Sequence, residues 1–425
     1  MVTTDELALV RPIDAARELK HIEALAAIGD RFIGTDGDRA AIDYIMGEFN
    51  ALGLEIQETP IRVPTFLNTS EPVLKTVETG RTYDAISPYF SPSTPAGGLE
   101  AEVVPIIGGK DEDYEGVDVS GKIALLMEVD GGFSMFWLGT YAERAARHGA
   151  VGLIIIHPMP WPYRMTMEAG NSKIANRFCT DQLPAVCVSA LDGAHLMYEV
   201  GRGNTRVHMV SETLIEDRDS VIISAFRRGT EFPDERVGVI GHRDNGIAPG
   251  ANDNLSGSAC MLELARLFAE TESPRGFEFI SSTAEEGVTI GAWSYCQQHK
   301  ADLKANMKAL FDVDMVGVGG RICQVERGLW PDCDPILQPD WLMEMVDEIA
   351  GDLGFQFGRM TAGWGVAESA RFLEIGVPAT WLWAPDDPYY HTVEDSPDKI
   401  NTLSLKGVSD VVAIAMWRIA NGAGP

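Results

Sequence analysis

The chain has 425 residues, long enough for two domains, and its 45% apolar and 23% charged content is that of a folded soluble protein. Asp and Glu outnumber Lys and Arg by 63 to 34, a formal net charge of −29, which argues against nucleic acid or an anionic membrane as a partner. No stretch of about 18 apolar residues marks a membrane span, no secretory leader is legible at the N-terminus, and the six cysteines form no Cys-x-x-Cys pair, so a reduced, cytoplasmic setting is expected.

In chain order, the pattern predicts helices near 13–28 and 38–52 and then a strand over 54–61. From about 62 to 211 the character changes. Pro, Gly and Ser cluster over 87–98, short strands are predicted at 102–107, 122–127, 151–157, 185–189 and 205–210, and one helix is predicted at 137–148. This stretch reads as a β-rich domain, 62–211, inserted into a catalytic domain made of 1–61 and 212–425. The second half then alternates strands at 221–225, 237–240, 277–280, 309–313 and 379–383 with helices at 257–270, 292–299, 341–353 and 403–420. The fold class expected is α/β, with a mixed, largely parallel central sheet flanked by helices.

Six side chains in this half carry the chemistry. His242 follows a buried strand, where open α/β sheets bind ligands, and Asp244 can fix its ring from the other nitrogen. Asp253 lies in the loop 246–257, just before a helix that Asn254 or Ser256 can cap; its carboxylate can bridge two cations. Glu285 and Glu286 end another strand and point opposite ways, so Glu286 can bind metal while Glu285 acts as general base. Asp314 ends a third strand and is better placed than Asp312. His391 offers a second imidazole in a late loop, beside a Tyr390 hydroxyl able to donate to an oxyanion. Together they supply a dinuclear site that activates water and polarises a carbonyl, without a covalent intermediate. No Gly-x-Ser-x-Gly elbow offers a serine route.

These residues resemble a known family. Gly241-His242-x-Asp244, Gly250-Ala251-Asn252-Asp253-Asn254-x-x-Gly257, Ala284-Glu285-Glu286-Gly287, Asp314-Met315-Val316-Gly317 and Tyr390-His391-Thr392-x-x-Asp395 are similar, in order, to the di-zinc exopeptidases of family twenty-eight of the metallopeptidases. The resemblance also covers 31–54, with Gly34-Thr35-x-Gly37. It implies a zinc exopeptidase fold and two zinc ions held by His242, bridging Asp253, Glu286, Asp314 and His391, with Glu285 as base. The insert, with 119–125 and 146–152, is similar to a protease-associated domain.

One segment departs from the family. Where Ser-Asp-His is usual, this chain has Ala367-Glu368-Ser369, followed by Arg371. An aminopeptidase needs a carboxylate for the substrate ammonium and a carboxypeptidase needs a cation for the terminal carboxylate. Glu368 could serve the first; Arg371, Arg321, Arg327, Arg164 or Arg177 the second; Trp364, Trp381 and Trp383 could line an apolar pocket. The expected substrate is a small peptide or amide, with an aminopeptidase placed ahead of a carboxypeptidase. Two alternatives stay open: an amidohydrolase acting on a non-peptide amide or N-acyl amino acid, and an inactive relative serving as a receptor or scaffold.

Overall fold

The structure is a computed structural model and describes residues 1–127, 138–157, 183–287, 289–328, 335–362 and 367–424. It forms two compact units, Met1–Val63 with Arg218–Pro425, and Pro64–Asp217. The expected breaks, after 61 and after 211, differ slightly from these. The chain passes both boundaries within the long strands Glu55–Asn68 and Thr213–Arg227, so no linker-like composition marks them.

The larger sheet runs, in hydrogen-bonded order, Glu55–Asn68, Thr213–Arg227, Arg275–Ser282, Phe232–His242, Met307–Asp314, Ala379–Trp383, Cys323–Gly328 and Ile336–Leu337, with Gly358–Ala362 beside Cys323–Gly328. The four central strands are parallel, and the neighbours on either side of them run antiparallel. This is the mixed, largely parallel sheet the pattern predicts. Its central strands are rich in Val, Ile, Leu and Phe and are buried on both faces, because helices cover them. Helix Leu255–Phe268 packs on three of these strands and is itself covered by Ala15–Ala26 and Thr402–Ala420, so almost its whole circumference is apolar.

Period and hydrophobicity located the middles of these elements better than their ends: the strand expected at 237–240 spans Phe232–His242. Strands Cys323–Gly328 and Gly358–Ala362 and the short helix Ser369–Glu374 escaped a reading of pattern. The second unit is less purely β than expected. Four strands of its eight-stranded sheet, Leu99–Ile107, Ile123–Met127, Gly152–Ile156 and Ala185–Val188, are parallel neighbours; helix Leu138–Arg147 lies between the second and third, and helix Ala190–Gly201 follows the fourth. The latter helix was hidden by its internal Gly193. A Cβ there would sit 2.4 Å from Ile156 Cγ2, so close packing overrides the poor propensity.

One buried acid in the first unit is unpaired by any cation. Glu18 shares the inward stripe of Ala15–Ala26 with Ile22 and Leu25; one carboxylate oxygen accepts from the Ser409 hydroxyl and the other has no partner. Burial pushes its carboxyl up to about 7, against the Ser409 hydrogen bond. The folded state therefore holds a proton that the unfolded chain releases near 4.5, and the associated stability is lost as pH rises from there through about 7. Glu18→Gln should stabilise the fold at pH 8 by up to about 3 kcal/mol and by almost nothing near pH 4.5. Denaturant melts at the two pH values check this; a difference that does not change with pH contradicts it.

Candidate metal centre

The parallel strands bring their carboxyl ends to one edge, and the functional side chains leave from there. His242 ends one strand and Asp314 the next but for one crossover; Ser282 is in register with His242, so the turn carrying Glu285 and Glu286 opens beside the imidazole. Asp253 arrives from the loop before helix Leu255–Phe268. That loop can approach the strand ends only because Gly257 has no side chain: a Cβ there would lie 1.8 Å from the Val313 carbonyl oxygen. The contact is then stitched by amides. Asn254 caps the helix by accepting from Gly257 N (2.8 Å) and donates to Val313 O (2.9 Å); Asn252 Oδ1 accepts from Gly317 N (2.7 Å); Ser256 Oγ accepts from Val316 N (3.0 Å).

His242 Nε2 lies 3.3 Å from Asp253 Oδ1 and 3.6 Å from Asp314 Oδ1. His391 Nε2 lies 3.0 Å from Asp253 Oδ2 and 3.1 Å from Glu286 Oε2. Two triads, His242–Asp253–Asp314 and Asp253–Glu286–His391, therefore share Asp253, one oxygen to each. A tetrahedral zinc ion with ligands at the usual distance separates neighbouring ligand atoms by about 3.3 Å, so both triads have the dimensions of a metal site. His242 Nε2 and Asp314 Oδ1 are buried without hydrogen-bond partners, as atoms that a cation satisfies would be. The nitrogen and carboxylate donors suit zinc.

Behind the triads, Asp244 does more than fix one ring. Its Oδ1 is 3.4 Å from His242 Nδ1, while its two oxygens accept from Glu285 N (3.4 Å) and Glu286 N (3.3 Å). One carboxylate thus ties the imidazole to the glutamate pair. Asp395, quoted above only as part of a motif, holds the shared ligand: it accepts from Asn252 N (2.7 Å) and Asp253 N (3.0 Å). Asp387 accepts from Asn252 Nδ2 at 2.8 Å. Neither role has a local signal, since Asp395 serves backbone amides and Asp387 a side-chain amide, all more than a hundred residues away. Ala284, Met315 and His391 all take left-handed φ (58°, 53° and 53°), so backbone strain is concentrated beside the base and the ligands.

Electrostatically the centre holds more carboxylates than it can keep charged without a cation. Burial pushes Glu286 and Asp314 up, against the neighbouring imidazoles. Burial works against the charge on both imidazoles, yet Asp244, Asp253 and Asp314 hold His242 well up, and Glu286 and Asp253 do the same for His391. Asp253, buried but facing both imidazoles, is held below the usual carboxylate range. Glu285 stands apart. Its Oε2 is 4.0 Å from His242 Nε2 and its side chain is 18% exposed, against 1% for His242 and 2% for Glu286. Burial, reinforced by Asp314, Glu286 and Glu368, pushes its carboxyl up despite His242.

The remaining candidates divide. Tyr390 is half-buried with its ring centroid 3.9 Å from that of His391. Glu368 is buried with both carboxylate oxygens unpartnered, just before helix Ser369–Glu374, whose first amide donates to Asp312 Oδ2 at 2.6 Å. Asp312 thus anchors that helix while Asp314 faces the ligands. Arg371 is not presented to a substrate as the sequence suggested: it is buried, with Nε donating to the Thr289 hydroxyl (2.7 Å) and Nη1 to Glu374 (2.8 Å). Its position in a helical turn directs it inward. Arg321 is exposed beside Asp386. Trp381 and Trp383 stack at 5.1 Å within an apolar cluster that includes Met315 and Tyr390. Trp364, Arg164 and Arg177 lie outside the described residues.

A mixed α/β sheet with two carboxylate–histidine triads sharing one aspartate at its carboxyl edge defines a two-metal hydrolase. Residues 222–416 match the family model described as Peptidase family M28, and residues 99–196 match the PA domain. The part of the chain that bears the ligands thus matches peptidase family M28, and a segment that matches the protease-associated domain precedes the first ligand. It is 26% identical over 423 residues to aminopeptidase YwaD of Bacillus subtilis, covering 96% of this chain and 85% of that protein. An aminopeptidase of Pseudomonas aeruginosa is 26% identical over 351 residues, 75% of this chain and 60% of the relative. Among solved structures, a zinc aminopeptidase from Bacillus subtilis superposes with a TM-score of 0.76 at 24% identity, covering 97% of both chains. A peptidase M28 precursor from Shewanella amazonensis gives 0.80 at 21% identity, covering 99% and 97%.

If Asp253 serves both metals, Asp253→Asn should lower bound zinc from two per chain to below one, whereas Asp312→Asn should keep two; elemental analysis of zinc-loaded protein checks both. Because protons compete with metal for imidazoles and carboxylates whose pKa is raised, zinc affinity should climb with pH through neutrality. An affinity independent of pH would contradict these ligands.

Proposed function

We infer that the protein is a zinc-dependent exopeptidase, an aminopeptidase that takes residues from the amino end of peptides. The observation that carries this reading is the pair of triads joined through Asp253, with Glu285 at their open side. The aminopeptidases among its relatives support it, as does the fate of the arginines: Arg371 is engaged by Thr289 and Glu374, and Arg321 sits beside Asp386, so neither is set aside for a substrate carboxylate. The four described cysteines that are buried thiols, Cys187, Cys260, Cys296 and Cys323, suit a reducing compartment, and we place the enzyme's work in the cytoplasm.

His242, Asp253, Asp314, Glu286 and His391 would hold two zinc ions, which would supply Lewis acidity toward the scissile carbonyl and acidity to a water molecule. The chain's own residues do the rest. Asp244 keeps Nε2 of His242 turned to the site from the other ring nitrogen, with its main-chain carbonyl 3.2 Å and its Oδ1 3.4 Å from Nδ1, and its hold on the amides of Glu285 and Glu286 sets the angle between ligand and base. Glu285 takes a proton from the attacking water and returns it to the departing amine nitrogen; its raised pKa makes it a stronger base than an exposed glutamate. To Tyr390, whose ring packs against that of His391, we assign the donation of a hydroxyl to the carbonyl oxygen as charge develops there.

Glu285→Gln should cut kcat/KM on aminoacyl anilides by about 10²–10⁴-fold while two zinc ions stay bound. A panel of free-amine, N-acetylated and C-terminal peptide substrates should show turnover confined to the free amines. Wild-type rates in the Gln variant, or turnover of the N-blocked substrates alone, would overturn the reading.

A further inference from the structure

Arg31 comes from a part of the chain that lies before the matched peptidase residues, which begin at 222. It is fully buried, and its guanidinium is spent on backbone carbonyls: Nε donates to Arg243 O (2.8 Å), Nη1 to Gly29 O (2.9 Å) and Leu25 O (3.3 Å), and Nη2 to Pro249 O (3.0 Å) and Gly250 O (3.5 Å). Its own amide donates to Asn245 Oδ1 at 2.8 Å. A buried cation is costly, and surface or core packing alone would be served more cheaply by an apolar side chain. The acceptors explain the choice. Arg243 O lies between the ligand His242 and its support Asp244, while Pro249 and Gly250 lead directly into the loop that delivers Asp253. One planar fork therefore fixes the separation between two backbone segments that bear ligands of the shared triad, which a flexible or shorter side chain cannot do.

The charge matters as well as the shape. Burial pulls the guanidinium pKa down to about 10, while Asp244, Asp30, Asp395 and Glu286 act in the opposite direction, so it stays protonated at neutral pH. The other fully buried arginine among the described residues, Arg243, is already committed: it meets Asp38 Oδ1 through Nε (3.1 Å) and Nη2 (3.0 Å), and its Nη1 reaches Ser281 O and Ser282 O.

We propose that Arg31 is a positioning residue of the metal centre, holding the 249–253 loop against the 243–245 segment so that Asp253 and His242 meet at ligand spacing. The proposal rests on the two-zinc reading above. Its test is a chelator-competition measurement of zinc affinity on wild type, Arg31→Lys, Arg31→Met and Ile22→Ala, with hydrogen exchange of the 246–253 amides measured on the same proteins. Ile22→Ala opens the apolar core and removes no hydrogen-bonding group, so it reports general destabilisation. Arg31→Met should lose zinc affinity by about 10–100-fold, as expected when a group that orients ligands is removed, and should exchange faster at 246–253. Arg31→Lys, which keeps the charge but not the fork, should lose less, and it carries the test if the Met variant does not fold. Ile22→Ala should keep wild-type affinity whatever it loses in melting temperature. Wild-type zinc affinity in both Arg31 variants, or an equal loss in Ile22→Ala, would overturn the role of Arg31 and leave the metal site standing; absence of zinc from wild type would instead remove the two-zinc reading itself.

Discussion

The structure turns on one carboxylate. Asp253 places each of its oxygens within about one ligand spacing of a different imidazole, and no other residue belongs to both triads among the described residues. For that to happen, a loop, two strand ends and a late turn must converge to within a few ångströms. The polar stitching around 252–257, the hold of Asp395 on two successive amides and the bare backbone at Gly257 all serve that convergence. The left-handed residues beside Glu285, Asp314 and His391 mark where the backbone is bent away from its easy conformations to meet it.

Charge sets the second constraint. Asp244, Asp253, Glu285, Glu286, Asp312, Asp314 and Glu368 gather around two imidazoles in a buried region. In a medium of low polarizability such a group either takes up protons or binds cations. The protein answers by layering roles. Ligands face inward, Asp244 and Asp395 face backbone amides, and Glu285 is left at the more open side with its charge least committed. Chemistry and support are thus performed by residues of one type, separated by what each carboxylate faces.

This layering explains what the sequence made legible. His242 and Asp314 end strands where a continuous apolar run stops at a polar residue, and Glu285 and Glu286 lie just past a third such run, so pattern singles out these positions and the central parallel strands with them. Asp314 was separable from Asp312 because it is the last residue of its strand. What failed was whatever depends on partners distant in the chain. Arg371 is three residues from Glu368, and linear proximity suggested a shared pocket; the short helix Ser369–Glu374 instead turns the guanidinium toward Thr289 and Glu374. The duties of Asp395 and Arg31 are to main-chain atoms, which have no residue type to signal them. Helix Ala190–Gly201 was hidden for the related reason that its glycine is chosen by a neighbour, Ile156.

Zinc-edge anomalous diffraction from crystals of the zinc-loaded protein tests the account most directly. Two peaks should flank the Asp253 carboxylate, one also bounded by His242 and Asp314 and the other by Glu286 and His391. A single peak, or two peaks of which one does not contact Asp253, would contradict the shared-ligand centre on which the mechanism is built.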